Sequence, residues 1–72
     1  MYLGGEEMKR YWLIEIRAGK GLTQGEAAEL CGMKQSQYSR YEIGQSKPTP
    51  INQFKISEAL GFEMELWHKN EN

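Results

Sequence analysis

The 72-residue sequence predicts an all-α domain, a compact bundle of about five short helices. Three observations carry that expectation. The first is punctuation. Thr23 and Thr49 stand where helices would start, and Gly32, Gly44 and Gly61 where they would stop. A threonine hydroxyl accepts a bond from the first turn, and glycine takes the left-handed stop conformation at little cost. The second is spacing. Met8, Trp12 and Ile16 fall on one stripe at the helical period, and Tyr38 and Tyr41 lie three apart. The third is size: a chain this short, with no internal repeat, allows one small domain whose core is thin for its surface.

Taken in order, Met1 to Gly5 reads as a loose arm, because Gly4-Gly5 offers nothing to pack. The domain is expected over residues 6–69, with 70–72 as a tail. The first helix should start near Glu6-Glu7, whose charges favour a helix N-terminus, and end near Ala18-Gly19. Tyr11 to Ile14 are four consecutive apolar residues, more than one helix face can bury. Some of that surface is expected to be exposed, covered by the arm, or used against a partner. Gly19-Lys20-Gly21 turns the chain into Leu22, a core anchor.

Thr23, with Glu26 three residues on, has the spacing of a capping box for a second helix, Gln24 to Cys31. Ala27, Ala28 and Cys31 should be its buried side, and Gly32 its end. After Met33-Lys34 a third helix should run from about Gln35 to Ile43. Tyr38 and Tyr41 point inward on it, and Gln35, Ser36, Gln37, Ser39 and Arg40 point outward. Ile43 to Pro48 is a polar loop. Thr49 then caps a fourth helix with Pro50 at its first position, where a missing N–H costs nothing. Ile51, Phe54 or the stem of Lys55, Ile56, Ala59 and Leu60 should supply its buried side, and Gly61 ends it. A last helix, about Glu63 to His68, would be anchored by Phe62, Leu66 and Trp67.

Two short helices joined by a glycine turn describe a helix-turn-helix, and the outward side chains of its second helix suit base edges and phosphates. The ordered set of residues then resembles the Cro/phage-repressor (XRE-type) helix-turn-helix family over roughly residues 8 to 67. It comprises Ile16-Arg17, Gly21-Leu22-Thr23-Gln24, Glu26, Ala28, Gly32, Gln35-Ser36, Ser39-Arg40, Glu42, Gly44 and Pro48. Lys55-Ile56, Ala59-Leu60-Gly61 and Leu66 fit that family's usual tail. The resemblance implies a lambda-repressor-like DNA-binding domain. It also implies that Arg17 and Glu42 pair, tying the first helix to the recognition helix, and that Gln24 braces the first recognition-helix glutamine.

The sequence departs from that pattern in places. Gly25 stands where a helix-favouring residue is usual in that family and should loosen the first turn of the second helix. Ala27 is smaller than usual and Leu30 apolar where the family is polar, a pair that would compensate if the helix rolled. Tyr38 is bulkier, and Ile43 replaces a polar or basic residue.

Formal net charge is −1, low for a nucleic-acid binder, but its distribution is uneven. Residues 34 to 57 hold Lys34, Arg40, Lys47 and Lys55 against Glu42, a local +3. Residues 58 to 72 hold Glu58, Glu63, Glu65 and Glu71 against Lys69, a local −3. Catalytic chemistry finds little to work with. There is no aspartate, and the glutamates are scattered. Cys31 reads as a small buried hydrophobe and His68 as a solvated tail residue, so neither a cofactor nor a metal is expected. One cysteine permits no internal disulfide, the longest apolar run is too short for a bilayer, and Met1 to Glu7 shows no signal-peptide pattern. A cytoplasmic, non-enzymatic protein is expected.

These readings converge on sequence-specific binding of double-stranded DNA by a transcriptional regulator of a bacterium, phage or mobile element. Gln35 would bond an adenine edge and Arg40 a guanine edge or a phosphate, supplemented by Ser36, Gln37 and Ser39. Gln24, Lys34 and Lys47 would hold the sugar-phosphate backbone. So small a domain reads few base pairs, which calls for a homodimer on a two-fold site. Leu66-Trp67 is one candidate for its surface, the alternative being that Trp67 plugs the monomer core. A competing reading is a protein-interaction module (an antitoxin, antirepressor or adaptor), favoured by the aromatics around Tyr11 to Ile14 and Phe62 to Trp67.

Overall fold

A computed structural model describes residues 9–71, and among them there are five helices and no strand. They are α1 (Tyr11–Gly19), α2 (Gln24–Cys31), α3 (Gln35–Ile43), α4 (Pro50–Leu60) and α5 (Glu65–Glu71). The predicted arm, Glu6-Glu7, Met8 and Asn72 lie outside the described residues.

α1 starts later than predicted, because Lys9 and Arg10 precede it in non-helical backbone. Arg10 is engaged elsewhere: its N–H donates to the Glu42 carbonyl at 2.8 Å, and its own carbonyl accepts from Leu13 and Ile14. The α2 start follows the predicted capping box. Thr23 Oγ1 accepts from the Glu26 N–H at 3.1 Å, and Glu26 Oε1 from the Thr23 N–H at 2.9 Å. Gly32 ends α2 at φ +74°, the left-handed conformation the tight turn into α3 requires. Thr49 caps α4 through the Asn52 N–H at 3.3 Å, with Pro50 in the first turn.

The core is a single cluster drawn from all five helices: Leu13; Ala27, Ala28 and Cys31; Tyr38 and Tyr41; Ile56 and Leu60; and Trp67. Three expectations are corrected there. Ile51 and Phe54 are 70% and 54% exposed, and α4 instead buries Gln53, Ile56, Ser57 and Leu60. The helical period decides this, since Gln53, Ile56, Ser57 and Leu60 are spaced three and four apart, one stripe to which Ile51 and Phe54 do not belong. Leu30 is 58% exposed while Ala27 is buried, so α2 has not rolled to bring Leu30 in. α5 begins at Glu65, two residues later than predicted, and runs through Asn70 to Glu71, past the predicted end of the domain. Glu63 and Met64 form the entry turn, their carbonyls accepting from Leu66 and Trp67.

Trp67 is 1% exposed and therefore belongs to the core, not to a free surface for a partner. Its indole N–H donates to Ser57 Oγ at 2.9 Å, which satisfies the polar edge a buried tryptophan carries. Trp12 packs edge-on against both Trp67 and Phe62, at centroid distances of 4.9 and 5.5 Å. The two aromatic stretches that favoured a protein-interaction module thus pack together, leaving Tyr11 half exposed. No helix among the described residues is long and apolar enough to cross a membrane.

Candidate nucleic-acid interface

α3 has two unlike faces. Tyr38, Tyr41 and Glu42 are buried, whereas Gln35, Ser36 and Arg40 are exposed and Ser39 is half-buried beside them. Positions 35 and 39, and 36 and 40, are four apart and 36 and 39 three apart, so these four side chains form one stripe over the helix. Lys34 precedes them as an exposed N-cap residue that caps nothing with its side chain.

The buried face is held by one carboxylate. Glu42 is fully enclosed, and each of its oxygens accepts two hydrogen bonds. Oε1 takes Arg17 Nη2 at 3.1 Å and Gln24 Nε2 at 2.9 Å. Oε2 takes Arg17 Nε at 2.6 Å and the Tyr38 hydroxyl at 2.7 Å. The Arg17 fork is completed by Nη1 donating to the Leu22 carbonyl at 2.8 Å. α1, α2 and α3 therefore meet at Glu42, and the planar guanidinium suits that role because it can donate in two directions at once.

The electrostatics follow from this geometry. Burial alone would raise the Glu42 carboxyl, but the bonds from Arg17, Tyr38 and Gln24 outweigh it and hold the carboxyl below its ordinary range. The same Glu42 bond raises Arg17 further. Burial, reinforced by the Glu42 bond, pushes the Tyr38 phenol far up, so it stays a donor at every ordinary pH. Cys31 is buried and its thiol is pushed up to about 11 by desolvation. That leaves it a protonated, apolar side chain and a poor nucleophile at neutral pH.

Two further residues brace α3 that no sequence signal marked. Arg10 Nη1 donates to the Tyr41 carbonyl at 2.6 Å and the Ser46 carbonyl at 3.0 Å. With the Arg10–Glu42 backbone bond, this closes the C-terminal end of α3, where unpaired carbonyls would otherwise gather. The Tyr41 hydroxyl accepts from Asn52 Nδ2 at 3.0 Å and from Gln37 Nε2 at 3.1 Å, linking α3 to α4.

The expected site residues are therefore divided. Lys34, Gln35, Ser36, Arg40 and Lys47 stand on the surface, and Ser39 half-buried within the stripe. Gln37 turns aside, half-buried, with its amide N–H committed to Tyr41. Gln24 braces Glu42, not Gln35 as the resemblance implied, because its amide N–H points at the carboxylate. Gln35 lies over Gly25, its Oε1 only 3.1 Å from where a Cβ on that glycine would sit. Lys34, Arg40, Lys47 and Lys55 are all exposed, and none is ion-paired among the described residues. With Glu42 neutralised internally by Arg17, the outer surface of this segment carries four positive charges and no negative one between 34 and 57.

Comparison with known proteins points the same way. The family model described as "Helix-turn-helix" matches residues 13–67. A relative in Bacillus subtilis (strain 168), described as an uncharacterized HTH-type transcriptional regulator, YqaF, is 36% identical over 63 residues. The match covers 88% of this chain and 83% of that protein.

Proposed function

The chain belongs to the XRE-type helix-turn-helix family, and from that membership we propose that it is a prokaryotic or phage transcriptional regulator that reads a specific sequence in double-stranded DNA. The observation that carries this reading is the exposed stripe of α3, a polar and basic face without internal partners for its charge, fixed from behind by buried Glu42. α3 lies in the major groove. Gln35 pairs with an adenine edge and Arg40 with a guanine edge or a phosphate, with Ser36 and Ser39 beside them. Lys34 and Lys47 hold the backbone and set register without reading sequence. Gln24 holds Glu42 through one amide N–H and offers the other to a backbone phosphate. Gln37 has its carbonyl left to offer. The protein works in the cytoplasm without catalysis.

A site of this size calls for two copies on a two-fold duplex. Leu30, Ile51 and Phe54 are apolar side chains left outside the core, and a second copy would cover them. Sedimentation of wild type and of Phe54→Glu, free and on a bound duplex, tests this. Two copies per duplex are expected for wild type, and one copy for both proteins would contradict the dimer. Selection from a random duplex pool tests the reading itself. Enrichment of a short palindrome is expected, and retention of no duplex above a scrambled control would overturn it.

A further inference from the structure

We propose that Gly25 is a positioning residue for sequence recognition: lacking a side chain, it lets Gln35 lie back over the first turn of α2 and so sets where the Gln35 amide meets a base. This rests on the reading of α3 as the helix that contacts bases. Gly25 is the second residue of α2, in ordinary helical backbone with no positive φ. Its conformation does not call for glycine, which is a poorer helix former than alanine. What the position does call for is space. A Cβ there would stand 3.1 Å from Gln35 Oε1, closer than side chains ordinarily approach, and at ordinary contact distance, 3.7 Å, from Gln35 Cδ. At Gly19, Gly21 and Gly32 a Cβ would meet nothing within 4 Å, and at Gly61 only the Lys20 ammonium end at 3.7 Å.

Packing matters here because hydrogen bonds do not hold this side chain. Among the described residues the Gln35 amide has no hydrogen-bond partner, and the neighbouring Gln24 N–H is committed to Glu42. Both ends of the Gln35 amide are thus available to a base, and the bare backbone of Gly25 is the floor it rests on. A bidentate amide–adenine pair aligns one donor and one acceptor together, so a shift of a few tenths of an ångström weakens both bonds. A methyl group at position 25 must produce such a shift, either in Gln35 or in the separation of the two helices.

The test compares wild type, Gly25→Ala, Gln35→Ala and the double variant on the selected duplex and on its single-base-pair substitutions. Gly25→Ala should melt at or above wild type, since alanine is the better helix residue. At the base pair that Gln35→Ala identifies, Gly25→Ala should change the preference about fivefold or more. In the Gln35→Ala background it should add nothing. A Gly25→Ala protein with wild-type preferences at every base pair would overturn the proposal while leaving DNA reading intact. So would an effect that persists without Gln35. A wild type that selects no duplex would instead overturn the DNA reading and this proposal with it.

Discussion

α2 and α3 are nearly equal in length and stand side by side, yet they are built from opposite materials. α2 is held by its own sequence: a complete capping box at one end, a left-handed glycine at the other, and three small apolar residues inward. α3 has no side-chain cap at its start, and its buried side consists of Tyr38, Tyr41 and Glu42, whose polar atoms need partners. Besides the bonds Tyr38 and Gln37 make within α3, those partners come from elsewhere: Arg10 before α1, Arg17 at its end, Gln24 on α2 and Asn52 on α4. The lesson is a division of labour. A helix braced from behind by hydrogen bonds keeps its outer face free of structural duty, and that face can then be chosen for contact with a partner.

The largest break in this pattern should come from the brace. Arg17→Ala or Glu42→Ala leaves a buried charge without its partner and should destabilise the fold by about 3–5 kcal/mol. The double variant should lose much less than the sum, which thermal melts of the three proteins would show. The brace also sets an acid limit. The Glu42 carboxyl is lowered by folding, so its contribution is fully present above the ordinary carboxylate value. It is lost as pH falls through the lowered value. Acid titration of Glu42→Gln should lack that component, though the protein starts less stable at neutral pH.

Next in size are the residues proposed to read bases, where the comparison reverses. Gln35→Ala or Arg40→Ala should cost roughly 1–3 kcal/mol of binding at the preferred site and relax the choice of base, with stability within about 0.5 kcal/mol of wild type. Thr23→Ala, on the self-supporting helix, should cost about 1 kcal/mol of stability and leave base preference unchanged. The smallest effects are expected at Lys34→Ala and Lys47→Ala. Each should weaken all duplexes alike and reduce the slope of binding against salt by about 1.

The elements legible in the sequence were those that carry their own local signals. Thr23 with Glu26, Gly32, and Thr49-Pro50 with Gly61 each act within a few residues, and all appear in the helix boundaries. Long-range partners leave no such local trace. Nothing near Arg10 marks it as the closure of a helix more than thirty residues away, and Tyr38 read as bulk, not as a donor. Ile51 and Phe54 misled because apolar character predicts burial only when the helical period agrees, and here Gln53 and Ser57 occupy the inward positions. Trp67 was ambiguous for the same reason: its burial depends on Trp12 and Phe62, which only the folded chain brings beside it. The position of the Gln35 amide was equally hidden, since it depends on what α2 lacks at Gly25.

The division between a bracing face and a reading face can be tested by following backbone amide resonances while the selected duplex is titrated in. The largest shifts are expected at Lys34 to Arg40 and at Lys47, with Gly25 moving beside Gln35 and with Leu30, Ile51 and Phe54 responding only if a second copy joins. Shifts concentrated at Leu30, Ile51 and Phe54, with Gln35, Ser36 and Arg40 unmoved, would contradict the assignment of α3 as the reading helix.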